Sequence, residues 1–272
     1  MPEGPEIRRA ADGIARVLSE RVVEEVSFGL PALSHRGEDF RGSQVTAIET
    51  RGKALLIHFE NGLSIYSHNQ LYGRWFVVKR DRYPKTNRSL RMALHTAEHS
   101  ALLYSASEIA VLDSDQLSQH PFLTRIGPDV LDSKVTWRDI VGRLLDPRFR
   151  NRSVATLYLD QAFIAGIGNY LRSEILFDAG INPRSRPADL TRKQLNGLSR
   201  STLSISMRAY QTGGITNTAA RVKKLKKTGT RRSQYRHAVF GREGASCYVC
   251  DELVLKDTMA ARRLYWCPLC QY

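Results

Sequence analysis

The chain has 272 residues, 42% of them hydrophobic, which suits one large domain or two modest ones with real cores. Its 41 Lys and Arg against 27 Asp and Glu give a formal charge of +14. A surplus of that size favours a polyanionic partner, nucleic acid ahead of an anionic membrane. No run of about 18 apolar residues is present, so no helical membrane span is expected. The opening Met1-Pro2-Glu3-Gly4-Pro5-Glu6 has neither the basic start nor the apolar stretch of a secretory signal, and the expected location is cytoplasmic.

The first predicted element is a helix over residues 5–19, with Pro5 near its N-terminus. Residues 20–112 then read as β-rich. Short β-branched runs cover 21–28 and 44–50. Runs at 54–59 and 63–67 flank Asn61-Gly62, a strong hairpin signal because both residues tolerate positive φ. Further strands are expected at 75–78 and 100–104, and many short strands with few long helices point to a sandwich or barrel. Gly127-Pro128 marks a linker.

From Thr136 the apolar period becomes helical. Leu171, Ile175 and Ala179 recur every four residues on a helix starting near Asn169. Thr191-Arg192-Lys193-Gln194 matches a capping box, with Leu195, Leu198 and Ile205 behind it. Residues 221–236 carry eight basic residues and few large apolar ones, and read as a mobile loop whose charge either tracks a phosphate backbone or is merely solvated surface. No internal repeat is visible.

Cys247, Cys250, Cys267 and Cys270 are the only cysteines. Two C-x2-C pairs separated by sixteen residues have the spacing of a structural zinc site with four thiolate ligands. Four thiolates leave no open position for water, so one such Zn2+ would fold the segment and take no part in chemistry. Two disulfides are the alternative, disfavoured without secretion.

Two residues admit a chemical reading beside a plainer one, which for Pro2 is that Met-Pro is merely a common way for a chain to start. Once Met1 is removed, Pro2 presents a secondary amine, and an α-amine titrating near pH ~8 is partly neutral and nucleophilic at physiological pH. Attack by such an amine on C1′ of a sugar yields an iminium ion, an electron sink that expels the base and acidifies the C2′ proton. Asn169 follows Gly166-Ile167-Gly168 and opens a helix, where free N–H groups bind phosphate and the amide adds a donor. An ordinary N-cap is the plainer role for it.

Three separated segments share one resemblance: Met1 to Glu6, Gly166-Ile167-Gly168-Asn169-Tyr170-Leu171-Arg172-Ser173-Glu174-Ile175-Leu176, and Ala261-Arg262-Arg263-Leu264-Tyr265-Trp266 running into Cys267-Pro268-Leu269-Cys270. Together, in this order, they resemble the formamidopyrimidine-DNA glycosylase and endonuclease VIII family over essentially the whole chain. Arg51-Gly52-Lys53-Ala54 and Ser67-His68-Asn69-Gln70-Leu71-Tyr72-Gly73 look like the bacterial endonuclease VIII branch.

The resemblance implies an α+β fold in two domains. It comprises an N-terminal β-sandwich with a leading helix, and a helical helix–two-turn–helix domain with a four-cysteine zinc-finger hairpin. The expected divisions are 1–125 for the sandwich, 126–135 for a linker, 136–215 for the helical domain, 216–237 for a basic loop and 238–272 for the zinc finger. The implied activity is a DNA glycosylase and abasic-site lyase acting on oxidised pyrimidines in double-stranded DNA by β,δ-elimination. It would act as a monomer in the bacterial cytoplasm.

Implied roles are Pro2 as nucleophile, Glu3 as general acid, and Lys53 as donor during β-elimination. Arg262 follows for δ-elimination, at a hairpin tip against the phosphates, where a guanidinium is better suited to stabilise the leaving phosphate than to donate a proton. Gln70, Leu71 and Tyr72 would fill the gap left by an extruded nucleotide. Arg125 and Asn169 would contact DNA. Read alone, Leu71 and Tyr72 suit a core and Arg125 a solvated linker. The rival readings are the same chemistry on oxidised purines, and a zinc-containing DNA-binding protein without catalysis.

Overall fold

The fold is taken from a computed structural model that describes residues 2–272. The chain divides into two compact units. Unit 1 comprises Pro2 with Glu6–Arg125, and unit 2 comprises Glu3–Pro5 with Ile126–Tyr272.

Unit 1 contains most of helix α1 (Gly4–Leu18) and eight strands. They are β1 (Glu25–Phe28), β2 (Val45–Arg51), β3 (Ala54–Phe59), β4 (Ser64–His68), β5 (Arg74–Lys79), β6 (Leu90–His95), β7 (His99–Tyr104) and β8 (Glu108–Leu112). Helix α2 (Ser114–Gln119) follows, and a 3-10 stretch lies between β1 and β2. The strands form two antiparallel four-stranded sheets, ordered β1-β6-β7-β5 and β2-β3-β4-β8.

Alternate residues of both sheets, such as Met92, Leu94 and Leu103 on one and Leu55, Ile57 and Ile65 on the other, meet in one buried cluster. That is the period-2 burial of a sandwich. Ile7, Ala11, Ile14 and Leu18 of α1 recur every three or four residues and join the same cluster, which is why the leading helix docks there.

Several expectations need adjustment. The run at 21–28 pairs as a strand only over Glu25–Phe28. At Asn61-Gly62 only Gly62 enters the left-handed region, with φ +82, so the turn is not the doubly left-handed one expected. Strand β6 was not foreseen. Its Leu-Arg-Met-Ala-Leu-His is built of helix formers, yet it sits between β1 and β7, where sheet pairing overrides local propensity.

Unit 2 contains α3 (Trp137–Leu145), α4 (Val154–Leu157), α5 (Asn169–Asp178), α6 (Arg192–Thr212), α7 (Ala219–Lys227) and α8 (Arg232–Tyr235). A hairpin of β9 (Leu255–Met259) and β10 (Arg262–Trp266) follows. Helix α4, two turns over 158–168 and α5 form a helix–two-turn–helix. The expected capping box at Thr191 starts α6: Thr191 accepts from the Gln194 amide, and the Gln194 side chain accepts from the Thr191 amide.

Residues 126–135 are not a free connector. Val130 and Leu131 are buried in the unit 2 core, and backbone bonds tie Pro128 and Val130 to Ala165. Nor is 221–236 a loop. Thr218 caps α7 by accepting from the Arg221 amide, and lysines fill its last turn, where the helix dipole favours cations.

Candidate active site

The chain's first residues are held by its middle. Glu3 is 3% exposed. Its carboxylate accepts N–H bonds from Gly168 at 2.7 Å, Tyr170 at 2.8 Å and Leu171 at 3.2 Å. Gly168 occupies the cap position of α5, and no side chain of its own caps the helix. A carboxylate more than 160 residues away in sequence therefore does the work of an N-cap, its charge set on the positive end of the helix. The Gly4 amide bonds the Gly166 carbonyl at 2.8 Å and completes the fastening. Gly168 must be glycine here, because a Cβ would lie 2.5 Å from Glu3 Cδ. Asn169 is then the first helical residue and not the cap.

Helix α5 is buried almost all round, charged residues included. Arg172 is fully buried. Its guanidinium donates to the Ala155 carbonyl at 2.9 Å, to Asn169 Oδ1 at 3.1 Å and to the Arg263 carbonyl at 3.0 Å. Longer bonds reach the carbonyls of Met259 and Arg262. One cation thus ties the start of α5 to the tip of the β9–β10 hairpin. Burial pushes its pKa down to about 10, against the pull of Glu3, so it stays charged near neutrality. At the tip, Ala260 and Ala261 take φ of +54 and +55, a strained conformation for alanine, and present Arg262 exposed at the start of β10.

Glu174, also buried, accepts from the amides of Ala238, Val239 and Phe240 and from the Thr216 hydroxyl. It fixes the segment that leads into the cysteine module. His237 packs against Tyr170 and Phe240 beside Thr216. Burial pushes its pKa down, Glu174 pulls it up, and the charges of Arg236 and Arg232 lower it further.

In unit 1, Gly52-Lys53 is the two-residue turn between β2 and β3, and it holds Lys53 half-buried. Gln70 sits at φ +47, and a side-chain network holds it there. Ser107 donates to Gln70 Oε1 at 2.9 Å, Gln70 Nε2 donates to Glu108 at 2.9 Å, and the Gln70 amide donates to His68 Nδ1 at 3.2 Å. Tyr66 donates to the other Glu108 oxygen. Burial lowers the His68 pKa, Glu108 raises it, and the Lys53 charge lowers it again. Leu71 and Tyr72 are 52% and 68% exposed, so neither is core. Arg125 is exposed and donates to the Pro121 carbonyl. Pro2 is partly exposed, in sequence directly before the pinned Glu3.

The four cysteines converge. Their Sγ atoms all lie within 4.8 Å of one another, with Cys250–Cys267 at 3.4 Å and Cys247–Cys270 at 3.9 Å. None is in a disulfide. A tetrahedral ion with Zn–S near ~2.3 Å needs sulfurs about 3.8 Å apart, and this donor set fits that requirement.

A family model described as the formamidopyrimidine-DNA glycosylase N-terminal domain matches residues 1–108, and one described as the H2TH domain of the same enzyme matches residues 126–220. The chain belongs to the formamidopyrimidine-DNA glycosylase family. It is 48% identical over 271 residues to Endonuclease 8 of Salmonella arizonae and of Salmonella schwarzengrund, with 100% of each chain covered. Among solved structures, Lactococcus lactis Fpg in complex with abasic-site DNA matches with a TM-score of 0.81 at 20% identity, covering 99% of both chains. The same protein in complex with FAPY-dG DNA matches with a TM-score of 0.80 at 18% identity, covering 98% of both. These structures share the fold. No described helix is long and apolar enough to cross a membrane.

Within this glycosylase-family fold, unit 2 brings Glu3, Asn169 and Arg262 onto one framework through α5. Lys53, Gln70, Leu71, Tyr72 and Arg125 belong to unit 1. Sequence reasoning missed Arg172, Glu174 and Glu108. For the first two a signal existed: charges inside the otherwise apolar Leu171 to Leu176 cannot all face water on a buried helix.

Gly168→Ala is expected to unseat the Glu3 carboxylate and to cut DNA excision by on the order of a hundredfold. Single-turnover kinetics checks this, with far-UV circular dichroism showing the helices intact. His237 is held neutral in the fold and takes up a proton more readily when unfolded, so stability should fall as pH drops below its ordinary value of 6.5. His237→Gln should flatten that dependence between pH ~6.5 and ~4 in urea titrations.

Proposed function

We propose that the chain is a bifunctional DNA glycosylase and abasic-site lyase of base excision repair that acts on oxidised pyrimidines. The observation that carries the reading is the capture of Glu3 by the amides of Gly168, Tyr170 and Leu171. It fixes the residue directly after Pro2, so that the amine left by loss of Met1 emerges from a rigid position. Enzymes gain most from groups held in place before the substrate arrives.

The Pro2 nitrogen attacks C1′ as the base departs with a proton, which leaves an iminium ion joined to the opened sugar. Loss of the C2′ proton releases the 3′ phosphate, and a second elimination releases the 5′ phosphate. Glu3, a carboxylate in the resting fold, takes up the proton that the Pro2 amine sheds as it bonds C1′ and delivers it to the ring oxygen as the sugar opens. Lys53 supplies a proton in the first elimination, from the rigid turn after β2. Arg262 neutralises the leaving phosphate with a planar, always-charged fork.

Extruding the damaged nucleotide leaves a gap in the duplex. Gln70, Leu71 and Tyr72 fill it: one polar side chain braced by Glu108 and two apolar ones exposed at no apparent benefit to unit 1. This trio, with the resemblance to the endonuclease VIII branch that it carries, supports pyrimidine over purine lesions. Asn169 and Arg125 contact phosphates. The partner is double-stranded DNA, engaged by a monomer at the bacterial nucleoid. For the divisions of the chain we keep the sandwich to residue 125 and the cysteine module from 238.

The four thiolates would hold one Zn2+, whose closed shell supplies rigidity under Arg262 and leaves the chemistry to the protein's own groups. Metal analysis should give one zinc per chain. Stripping it with a thiol reagent and chelator should abolish strand cleavage and loosen residues 238–272, seen as lost amide-exchange protection.

The decisive experiment is borohydride reduction on duplex DNA containing thymine glycol. A covalent adduct should form with protein lacking Met1, and should disappear when the terminal amine is acetylated. Full activity in protein that retains Met1 would remove Pro2 as the nucleophile. Faster excision of 8-oxoguanine than of thymine glycol would reverse the lesion preference.

A further inference from the structure

The net positive charge of this protein is confined to one stretch. Residues 190–242 hold 13 Lys and Arg and no Asp or Glu, whereas the other 219 residues hold 28 basic against 27 acidic. All but one unit of the formal +14 therefore sits within 53 residues. Elsewhere several exposed arginines sit beside acids: Arg8 on Asp12, Arg148 on Asp146, Arg186 on Asp189.

The densest part of the stretch is α7. Its inward side is half-buried through Arg221, Val222 and Leu225, and Lys223, Lys224, Lys226 and Lys227 are exposed. Arg221 anchors it, donating to Asn217 Oδ1 at 3.0 Å and lying 5.6 Å over the Tyr248 ring of the cysteine module. Lys226 lies 5.4 Å over the ring of Tyr235. Like charges three and four residues apart repel on a helix, so this pattern opposes its own secondary structure until a polyanion arrives. With its two large apolar residues, Val222 and Leu225, half-buried, the exposed face of the helix carries no large apolar side chain to insert into lipid.

We propose that α7 grips the phosphates of undamaged duplex DNA and supplies much of the protein's lesion-independent, salt-sensitive affinity. Nine residues at 1.5 Å each make it about 13 Å long, the rise of roughly four base pairs. The inference rests on the DNA-repair reading above but not on its chemistry.

The test compares full-length protein with two triple variants: Lys223→Ala with Lys224→Ala and Lys227→Ala, and the same three positions changed to Arg. Anisotropy titrations on a short undamaged duplex over a range of salt give the slope of log K against log salt. Three lost phosphate contacts should reduce that slope by about 2.7 and weaken binding at least roughly tenfold near physiological salt. The Arg triple should keep the wild-type slope. An unchanged slope in the Ala triple, or a loss in the Arg triple as well, overturns the proposal. Wild-type nicking of an abasic duplex, run alongside, separates the two readings: its absence sinks the enzyme and leaves the slopes to decide the grip.

Discussion

A single carboxylate fastens the start of the chain to the start of α5. Glu3 satisfies amides at the start of α5 that would otherwise be buried and unpaired, and α5 in return gives the chain's first residues one fixed position. Neither partner is stable without the other. An uncapped buried helix end and an unpaired buried carboxylate both carry heavy desolvation penalties. The nucleophile proposed for the reaction is therefore placed by backbone hydrogen bonds, with no demand on the proline's own side chain.

The same helix repeats the device twice more. Arg172 gathers carbonyls from the α4 region and the hairpin tip, and Glu174 gathers amides from the segment before the first cysteine pair. Each buried ion is matched mainly by backbone dipoles of opposite sense, with no direct ion pair. That choice gives direction as well as charge balance. A guanidinium fork accepts only one arrangement of the carbonyls around it, so the register of Arg262 against Asn169 follows from Arg172.

Charge on the outside follows a different logic. Most of the chain is balanced in formal charge, and the surplus falls within residues 190–242, the stretch that contains α7. The proposed separation of catalysis from lesion-independent DNA contact makes physical sense. Groups that touch the reacting sugar need rigid, buried support, whereas groups that hold a polyanion need only density and solvent access.

The sequence by itself determined the four-cysteine cluster, the capping box of α6 and a sandwich-or-barrel reading of residues 20–112, because these are written in local spacings, and the family with its two-domain plan followed from three separated motifs in the right order. It did not reveal that Glu3 caps α5, that Arg172 is buried, or that Glu108 braces Gln70. Those contacts join residues from 3 to 168 positions apart, and neither composition nor periodicity reports where a side chain ends after folding. It also misled at β6, where helix formers yield to a sheet, and at α7, where a run of lysines read as a loop. At β6 sheet pairing outweighs the small energies of intrinsic propensity, whereas at α7 the alanines, leucine, arginine and lysines are helix formers in their own right and Thr218 caps their start.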